Sequence, residues 1–318
     1  MNITVIGCGR WGSFIAWYLD KIGHDVLLYG RKNSARLHQL IDTRTNGTVT
    51  LSEKVRLTDD LDAALEPEII AVSVSAQSLR SLMEEISARK VSGKTFVLCM
   101  KGIEVPTGKR LSEVVGEYID GSCKVAVWLG PGHVQEFVRG IPNCMVIDSD
   151  DQSVKERLVA AFTGNLIRFY MGGDMIGNEI GAASKNVVGI AAGILDGLDL
   201  SSLKGALMSR AAREIARLIE AMGGNVLSAY GLCHLGDYEA TVFSKYSHNR
   251  RFGEAFVKGE SFGELAEGYA TAQAMMILSK RYDVELPICQ AVYNVLYNGK
   301  DVQDAISELF LRSIKQEF

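Results

Sequence analysis

Two lysines, one aspartate and a run of glycines are the residues of this chain best placed to do chemistry. Lys185 stands in Gly181-Ala182-Ala183-Ser184-Lys185-Asn186-Val187-Val188, where every neighbour is small, apolar or uncharged. An amine in such a setting is costly unless it has a partner or a task. Desolvated, and with a second cation nearby, it should have a lowered pKa and exchange protons readily near neutrality. Lys101, in Cys99-Met100-Lys101-Gly102-Ile103-Glu104, falls just past a strand-like run, at the edge where parallel sheets bind ligands. A third polar group is His234-Leu235-Gly236-Asp237, followed by Thr241 and then by Ser247-His248-Asn249-Arg250-Arg251-Phe252-Gly253. Structural roles compete with these. Lys185 could reach along the helix to water, and Asp237 could cap a helix.

The glycines are Gly7-Cys8-Gly9-Arg10-Trp11-Gly12. Three glycines at this spacing are common by chance, but here they join a β-branched run to a helical pattern. Gly7 permits a tight turn, Gly9 lets a pyrophosphate reach the backbone, and Gly12 lets helix and strand pack closely. The helix N-terminus favours the negative charge. The first forty residues therefore read as a dinucleotide-binding unit, and the chain as a nicotinamide-dependent oxidoreductase. Tyr29-Gly30-Arg31-Lys32-Asn33-Ser34 then bears on which dinucleotide. It has no carboxylate for a ribose hydroxyl. Arg31 and Lys32 stand where a 2′-phosphate would sit, which favours NADP over NAD. As solvated loop charges they would leave NAD open.

These residues need a scaffold. Residues 3–6, 26–29, 69–74, 95–99, 125–128, 143–147 and 166–170 are strand candidates. Helical patterns lie between them, at residues 11–22, 79–86 and 109–118 among others. This alternation predicts an α/β, doubly wound Rossmann-type parallel sheet. Residues 47–58 alternate apolar and polar and read as a small inserted hairpin. Beyond residue 172 the strand signal stops. Residues 174–195 suggest a helix buried on most sides, and residues 202–222, 269–282, 286–297 and 302–310 have amphipathic spacing. A chain of 318 residues suits two domains. They are a dinucleotide-binding domain over residues 1–172 and an all-helical catalytic domain over 173–318. The cleft between them is the expected active site.

Composition narrows the partners. A net charge of -4 gives no basic excess for nucleic acid. The apolar runs fall short of the roughly 18 residues of a membrane helix, and Met1-Asn2-Ile3-Thr4 lacks the basic start of a signal peptide. Six cysteines without a Cys-x-x-Cys pair read as reduced, mostly buried thiols in a cytoplasmic protein. The five histidines lack metal-ligand spacing. The apolar C-terminal helices suggest a homodimer by analogy of fold.

Several stretches, taken in order, resemble NAD(P)-dependent glycerol-3-phosphate dehydrogenases. That family shows a glycine-rich N-terminus, Lys-Gly-Leu/Ile-Glu, Ser-Gly-Pro-Thr/Ser, Lys-Asn-Val, Gly-Leu-Gly-Asp-Leu and Arg-Asn-Arg-Arg/Lys-Phe-Gly. Here Lys101-Gly102-Ile103-Glu104, Gly130-Pro131, Lys185-Asn186-Val187, Leu235-Gly236-Asp237 and Asn249-Arg250-Arg251-Phe252-Gly253 follow that order. Glu267-Gly268-Tyr269, Glu285-Leu286-Pro287-Ile288 and Val295-Leu296-Tyr297 extend it over nearly the whole chain. The resemblance implies interconversion of dihydroxyacetone phosphate and sn-glycerol 3-phosphate. Lys185 would be the general acid and base, and Asp237 would orient it or the substrate. Lys101 would polarise the reacting oxygen or hold substrate and cofactor. Gly130, Gly132, Thr241, Ser247, His248 and Asn249 would border the substrate. Arg10, Trp11, Val134, Leu265 and Glu267 would border the dinucleotide.

The departures lie at the substrate end. Leu129-Gly130-Pro131-Gly132-His133 replaces Ser-Gly-Pro-Thr/Ser, and His248 replaces the arginine that holds phosphate in the family. Glu267-Gly268-Tyr269-Ala270-Thr271-Ala272 also lacks the usual Arg-Asn-Thr. A histidine is often neutral near pH 7 and offers fewer donors. Losing a charge-assisted bond costs about 1.5–3 kcal/mol. Either Arg250 or Arg251 replaces the contact, or the enzyme reduces a larger phosphorylated ketose or polyol phosphate, with Gly132 making room and His133 and His248 binding extra hydroxyls. A non-catalytic dinucleotide sensor is the third reading, disfavoured because a sensor has no use for Lys101, Lys185 and Asp237 together.

Overall fold

The computed structural model describes residues 1–313. Backbone contacts divide the chain into two compact units. The first is Met1–Lys101 with Lys109–Glu179, and the second is Gly102–Gly108 with Ile180–Phe318.

Unit 1 is a single eight-stranded sheet. Its strands are β1 (Asn2–Ile6), β2 (Asp25–Tyr29), β3 (Arg56–Thr58), β4 (Ile69–Val72), β5 (Thr95–Leu98), β6 (Lys124–Leu129), β7 (Asn143–Asp148) and β8 (Ile167–Met171). Their order across the sheet is β3-β2-β1-β4-β5-β6-β7-β8. The helices between them are α1 (Arg10–Lys21), α2 (Ala35–Thr43), α3 (Leu61–Ala64), α4 (Leu79–Ser87), α5 (Leu111–Gly116), α6 (Val134–Val138) and α7 (Gln152–Phe162). The order reverses direction at β1, whose neighbours are β2 and β4. The carboxyl ends of strands flanking such a switch point are where doubly wound sheets bind ligands. The central strands β4 and β5 are buried along their whole length, as expected of strands covered on both faces. Trp128, Phe14, Phe137 and Phe162 fill the core under them.

Two expectations need correction. The sheet is not parallel throughout, because β6 and β7 run antiparallel. Between them lies α6, five residues long. Helix length does not decide this, since β3 and β4 run the same way with only the four-residue α3 between them. The direction is set by the pairing of Val127, Trp128 and Leu129 with Asp148, Ile147 and Val146. Residues 47–58 are not a hairpin either. The turn makes only an isolated bridge between Thr45 and Thr50, and the strand that follows, β3, pairs in parallel with β2. The Asn46 side chain accepts from the backbone N–H groups of Thr48 and Val49. Val49, Leu51 and Val55 are buried in the core, and Arg44 donates to the Val55 carbonyl. The alternation thus records loop side chains pinned into the core.

Unit 2 is helical. Its elements are α8 (Met175–Gly197), α9 (Lys204–Ala221), α10 (His248–Val257), α11 (Glu267–Tyr282), α12 (Pro287–Asn298) and α13 (Val302–Phe310). The boundary between the units falls within α8, which is buried on nearly every side beyond Glu179. A row of α8 at four-residue spacing carries Gly177, Gly181, Gly189, Gly193 and Gly197, with Lys185 as the one side chain in the row. Neighbouring backbone and side-chain atoms fill the space a side chain would need. A Cβ at Gly193 would lie 1.8 Å from the Arg250 carbonyl oxygen, and one at Gly197 would lie 2.4 Å from Val257. Gly253 of α10 and Gly268 of α11 approach from their own side, 2.2 Å from the Ile190 carbonyl oxygen and 2.5 Å from that of Asn186 by the same measure. Among the described residues no helix is long and apolar enough to cross a membrane.

Candidate active site

In unit 1 the glycine turn joins β1 to α1. Gly7 has φ +112°, and a Cβ there would meet the Ser73 carbonyl oxygen at 2.2 Å. A Cβ at Gly12 would meet the Gly7 carbonyl oxygen at 1.8 Å. Both glycines are required by the protein's own packing. Gly9 differs. A Cβ there would meet only the Arg36 guanidinium, at 3.3 Å, the far end of a flexible side chain. Gly9 is also the N-cap of α1, and no side chain caps that helix. The fold leaves open at Gly9 the approach that a pyrophosphate needs, so these residues fit a dinucleotide.

Arg31 and Lys32 are exposed after β2, with Arg31 3.9 Å from Glu85. Arg36 is a third cation there, which sequence reasoning missed. Ser34 caps α2 by accepting from Leu37, so Arg36 sits in the first helical turn beside Gly9. The recognisable cap was the available signal. Arg10 is exposed at the start of α1. Trp11 packs on Phe14 and Phe137, with ring centroids 5.0 and 6.3 Å away. Val134, at the start of α6, is buried.

Past the carboxyl ends of β5 and β6 the structure joins two of the expected substrate residues. Lys101 Nζ donates to the Gly130 carbonyl oxygen at 2.6 Å. Gly132 does not make room for a larger substrate. A Cβ at that position would lie 2.3 Å from the Phe137 ring, and Phe137 is buried and stacked on Phe14 at 4.9 Å. The space vacated by the missing hydroxyl side chain belongs to the aromatic core.

In unit 2 Lys185 projects from the glycine face of α8. Its Nζ lies 2.7 Å from Asp237 Oδ2 and donates to Thr241 Oγ1 at 2.7 Å. Thr241 in turn donates to the Asp237 backbone carbonyl at 2.8 Å. Asp237 and Thr241 are essentially inaccessible, and Lys185 is 7 % exposed. The lysine does not reach to water, and Asp237 serves the lysine rather than capping a helix. The charge paired with Lys185 within the unit is the Asp237 carboxylate. It stabilises the ammonium and orients it.

The same unit gathers three more motifs. Asn249 donates to Asn186 Oδ1 at 3.0 Å and accepts from the Gly268 backbone N–H at 2.9 Å, tying the α10 motif to Lys185-Asn186-Val187 and to Glu267 at the start of α11. Ser247 caps α10 by accepting from Arg250. His248 faces the loop before α11, with Nε2 3.2 Å from Glu264 and Nδ1 3.3 Å from the Leu265 carbonyl oxygen. Leu265 itself is exposed. Arg250 cannot replace the family arginine. Its Nε donates to Asp196 at 2.5 Å, beside the Lys204–Asp196 pair, and its side chain is mostly covered. Arg251 pairs with Glu264 at 3.1 Å and lies over the Phe262 ring. Sequence reasoning also gave no role to Tyr238 or to the ring of His234. Both are fully buried, and desolvation, as the leading cause, pushes the His234 pKa down to about 4.

Known proteins resemble both halves of the chain. A family model described as the N-terminus of NAD-dependent glycerol-3-phosphate dehydrogenase matches residues 2–155, and one described as its C-terminus matches residues 174–307. A glycerol-3-phosphate dehydrogenase (NAD(P)+) of Pelodictyon phaeoclathratiforme is 36 % identical, over 100 % of this chain and 99 % of the relative. One from Thermoanaerobacter is 35 % identical with the same coverage. The crystal structure of glycerol-3-phosphate dehydrogenase from Coxiella burnetii superposes with a TM-score of 0.92 at 28 % identity, covering 98 % of this chain and 99 % of that one. D-mandelate dehydrogenase shares the fold, with a TM-score of 0.65 at 14 % identity. With matches to both family models and full-length relatives, the chain belongs to the NAD-dependent glycerol-3-phosphate dehydrogenase family.

Proposed function

We propose that this chain interconverts dihydroxyacetone phosphate and sn-glycerol 3-phosphate, with NADP preferred over NAD. The buried Lys185–Asp237–Thr241 group carries the reading. When bound, the nicotinamide supplies or accepts a hydride at the middle carbon of the substrate. Lys185 gives the proton that the substrate oxygen gains on reduction and takes it back on oxidation. Asp237 holds the ammonium in place and stabilises its charge, and Thr241 fixes its direction. The surrounding glycine-packed face excludes water. Lys101 holds or polarises substrate, and Asn249 contacts it. Gly7, Gly9, Gly12 and α1 take the pyrophosphate, while Arg31, Lys32 and Arg36 take the 2′-phosphate. Trp11, Val134, Leu265 and Glu267 border the dinucleotide. The glycine turn that takes the pyrophosphate lies in the first unit and the proton donor in the second. A cytoplasmic homodimer formed through the C-terminal helices completes the reading.

His248 is the one observation that favours a different phosphorylated ketose, because a ring held by Glu264 and Leu265 is a poor substitute for an arginine. Phe137 beside Gly132 argues the other way, since it removes the extra room. A sensor would not need a proton donor oriented by a buried carboxylate. NADPH oxidation with dihydroxyacetone phosphate, alongside longer phosphorylated ketoses, decides among the three. Turnover fastest with dihydroxyacetone phosphate supports the proposal. Turnover confined to a longer ketose, or to none, overturns it.

A further inference from the structure

The Lys185–Asp237 pair joins a long helix to a turn with little structure of its own. Asp237 ends a 3-10 turn of only three residues, Leu235–Asp237. A carboxylate that must stay within hydrogen-bond reach of an amine needs a firmer hold than that. Two neighbours that the proton transfer does not use supply it. His234 Nδ1 lies 2.9 Å from the Gly181 carbonyl oxygen and 3.3 Å from Ser184 Oγ, and Nε2 lies 2.7 Å from the Tyr238 hydroxyl. A carbonyl can only accept, so Nδ1 carries the hydrogen. Nε2 then accepts and Tyr238 donates. The Gly181 carbonyl is also the acceptor that the α-helical pattern assigns to the backbone N–H of Lys185, four residues on. The imidazole therefore grips the turn of helix that bears the lysine. Gly181 permits this, since a Cβ there would stand 2.9 Å from the His234 Cβ.

The two residues are matched. Where the family pattern reads Gly-Leu-Gly-Asp-Leu, this chain reads His234-Leu235-Gly236-Asp237-Tyr238. Both outer positions are polar here, and each ring satisfies the other. Either alone would bury a polar atom without that partner. The rings also meet edge to face, with centroids 4.9 Å apart. Lys185 and Asp237 are the charged groups that act on the imidazole, while Glu214 of α9 and Cys289 of α12 act on the phenol.

We propose that His234 and Tyr238 are positioning residues. Their chain, from the Tyr238 hydroxyl through His234 to the Gly181 carbonyl, clamps the Asp237 turn to α8 and keeps its carboxylate on the Lys185 ammonium during proton transfer. This rests on the reading of Lys185 as proton donor.

Tyr238→Phe removes one oxygen and preserves the ring. The kcat for dihydroxyacetone phosphate reduction should fall about tenfold, with its KM and the Kd for NADPH within twofold of wild type. The high-pH limb of the kcat profile should move to lower pH, because an ammonium held less firmly by its carboxylate loses its proton sooner. Combined with His234→Gln, the double variant should cost no more than the costlier single, since both cut one chain of contacts. A merely structural role gives a lowered melting temperature with kcat and its pH profile unmoved, or losses that simply add. Either outcome overturns the proposal. Lys185→Met separates the two levels of the argument. If it retains turnover, the proton-donor reading itself is wrong. If it is inactive while Tyr238→Phe behaves as wild type, only the clamp is wrong.

Discussion

Acidification should destabilise the helical unit through His234, by an amount its burial sets. The ring is neutral in the folded protein, with its pKa pushed from 6.5 down to about 4, first by desolvation. In the unfolded chain it titrates near 6.5. Between pH 6.5 and 4 the unfolded state therefore binds more protons than the folded state. Stability contributed above pH 6.5 is lost as pH falls through this window, at up to about 1.4 kcal/mol per pH unit. Across the window that amounts to about 3 kcal/mol. Burial raises the pKa of Glu179 and of Glu214. Those groups act in the opposite direction, but they are present in any His234 variant and cancel in a difference. The assay is urea unfolding of wild type and His234→Gln at pH 7.5, 6.5, 5.5 and 4.5, followed by far-ultraviolet circular dichroism. Wild type should lose about 2.5 kcal/mol more than the variant over this range. A difference that stays flat with pH would refute the reasoning.

Four further outcomes follow. Gly9→Ala should keep its melting temperature within about 2 °C while NADPH binding weakens at least about tenfold, as read by fluorescence titration. Gly7→Ala, at positive φ and against the Ser73 carbonyl, should destabilise the fold itself; equal melting temperatures for the two would contradict the assigned roles. Replacing Arg31 and Arg36 together by Ser should raise the KM for NADPH about tenfold or more and leave that for NADH unchanged, so a parallel rise in both would remove these cations from 2′-phosphate recognition. His248→Arg restores a planar fork suited to phosphate and should lower the KM for dihydroxyacetone phosphate about tenfold at constant kcat. An unchanged KM would mean that the phosphate is held elsewhere.

Much of this architecture was legible because local signals agreed with each other. The β1–turn–α1 unit could be read since three glycines, a β-branched run and a helical pattern all coincide within the first twenty residues. Lys185 stood out because a charge inside a small, apolar helix has few explanations. What escaped were facts of three dimensions. The antiparallel β6–β7 pairing is a choice of strand direction made by tertiary pairing, and the apolar run at residues 143–147 looks the same whichever way it runs. Val49, Leu51 and Val55 alternate like a strand, although a turn built on the Asn46 side chain pins them into the core. Gly132 suggested open space only while Phe137, five residues on, was not known to occupy it. The carboxylate on Lys185 comes from fifty-two residues away; spacing gives no measure of that contact, and only the family resemblance pointed to Asp237.

The glycine row on α8 has a consequence for how the reaction centre comes into being. Each glycine costs a helix about 1 kcal/mol relative to alanine. The row of five therefore makes residues 175–197 a weak helix in isolation, where nucleation is already unfavourable. A synthetic peptide of that stretch should show little helicity in water. The segment gains its form only when α10 and α11 bring their backbones against it. The proton donor is thus assembled by the folding of the whole helical unit, and a partly folded chain would carry the lysine without its chemistry.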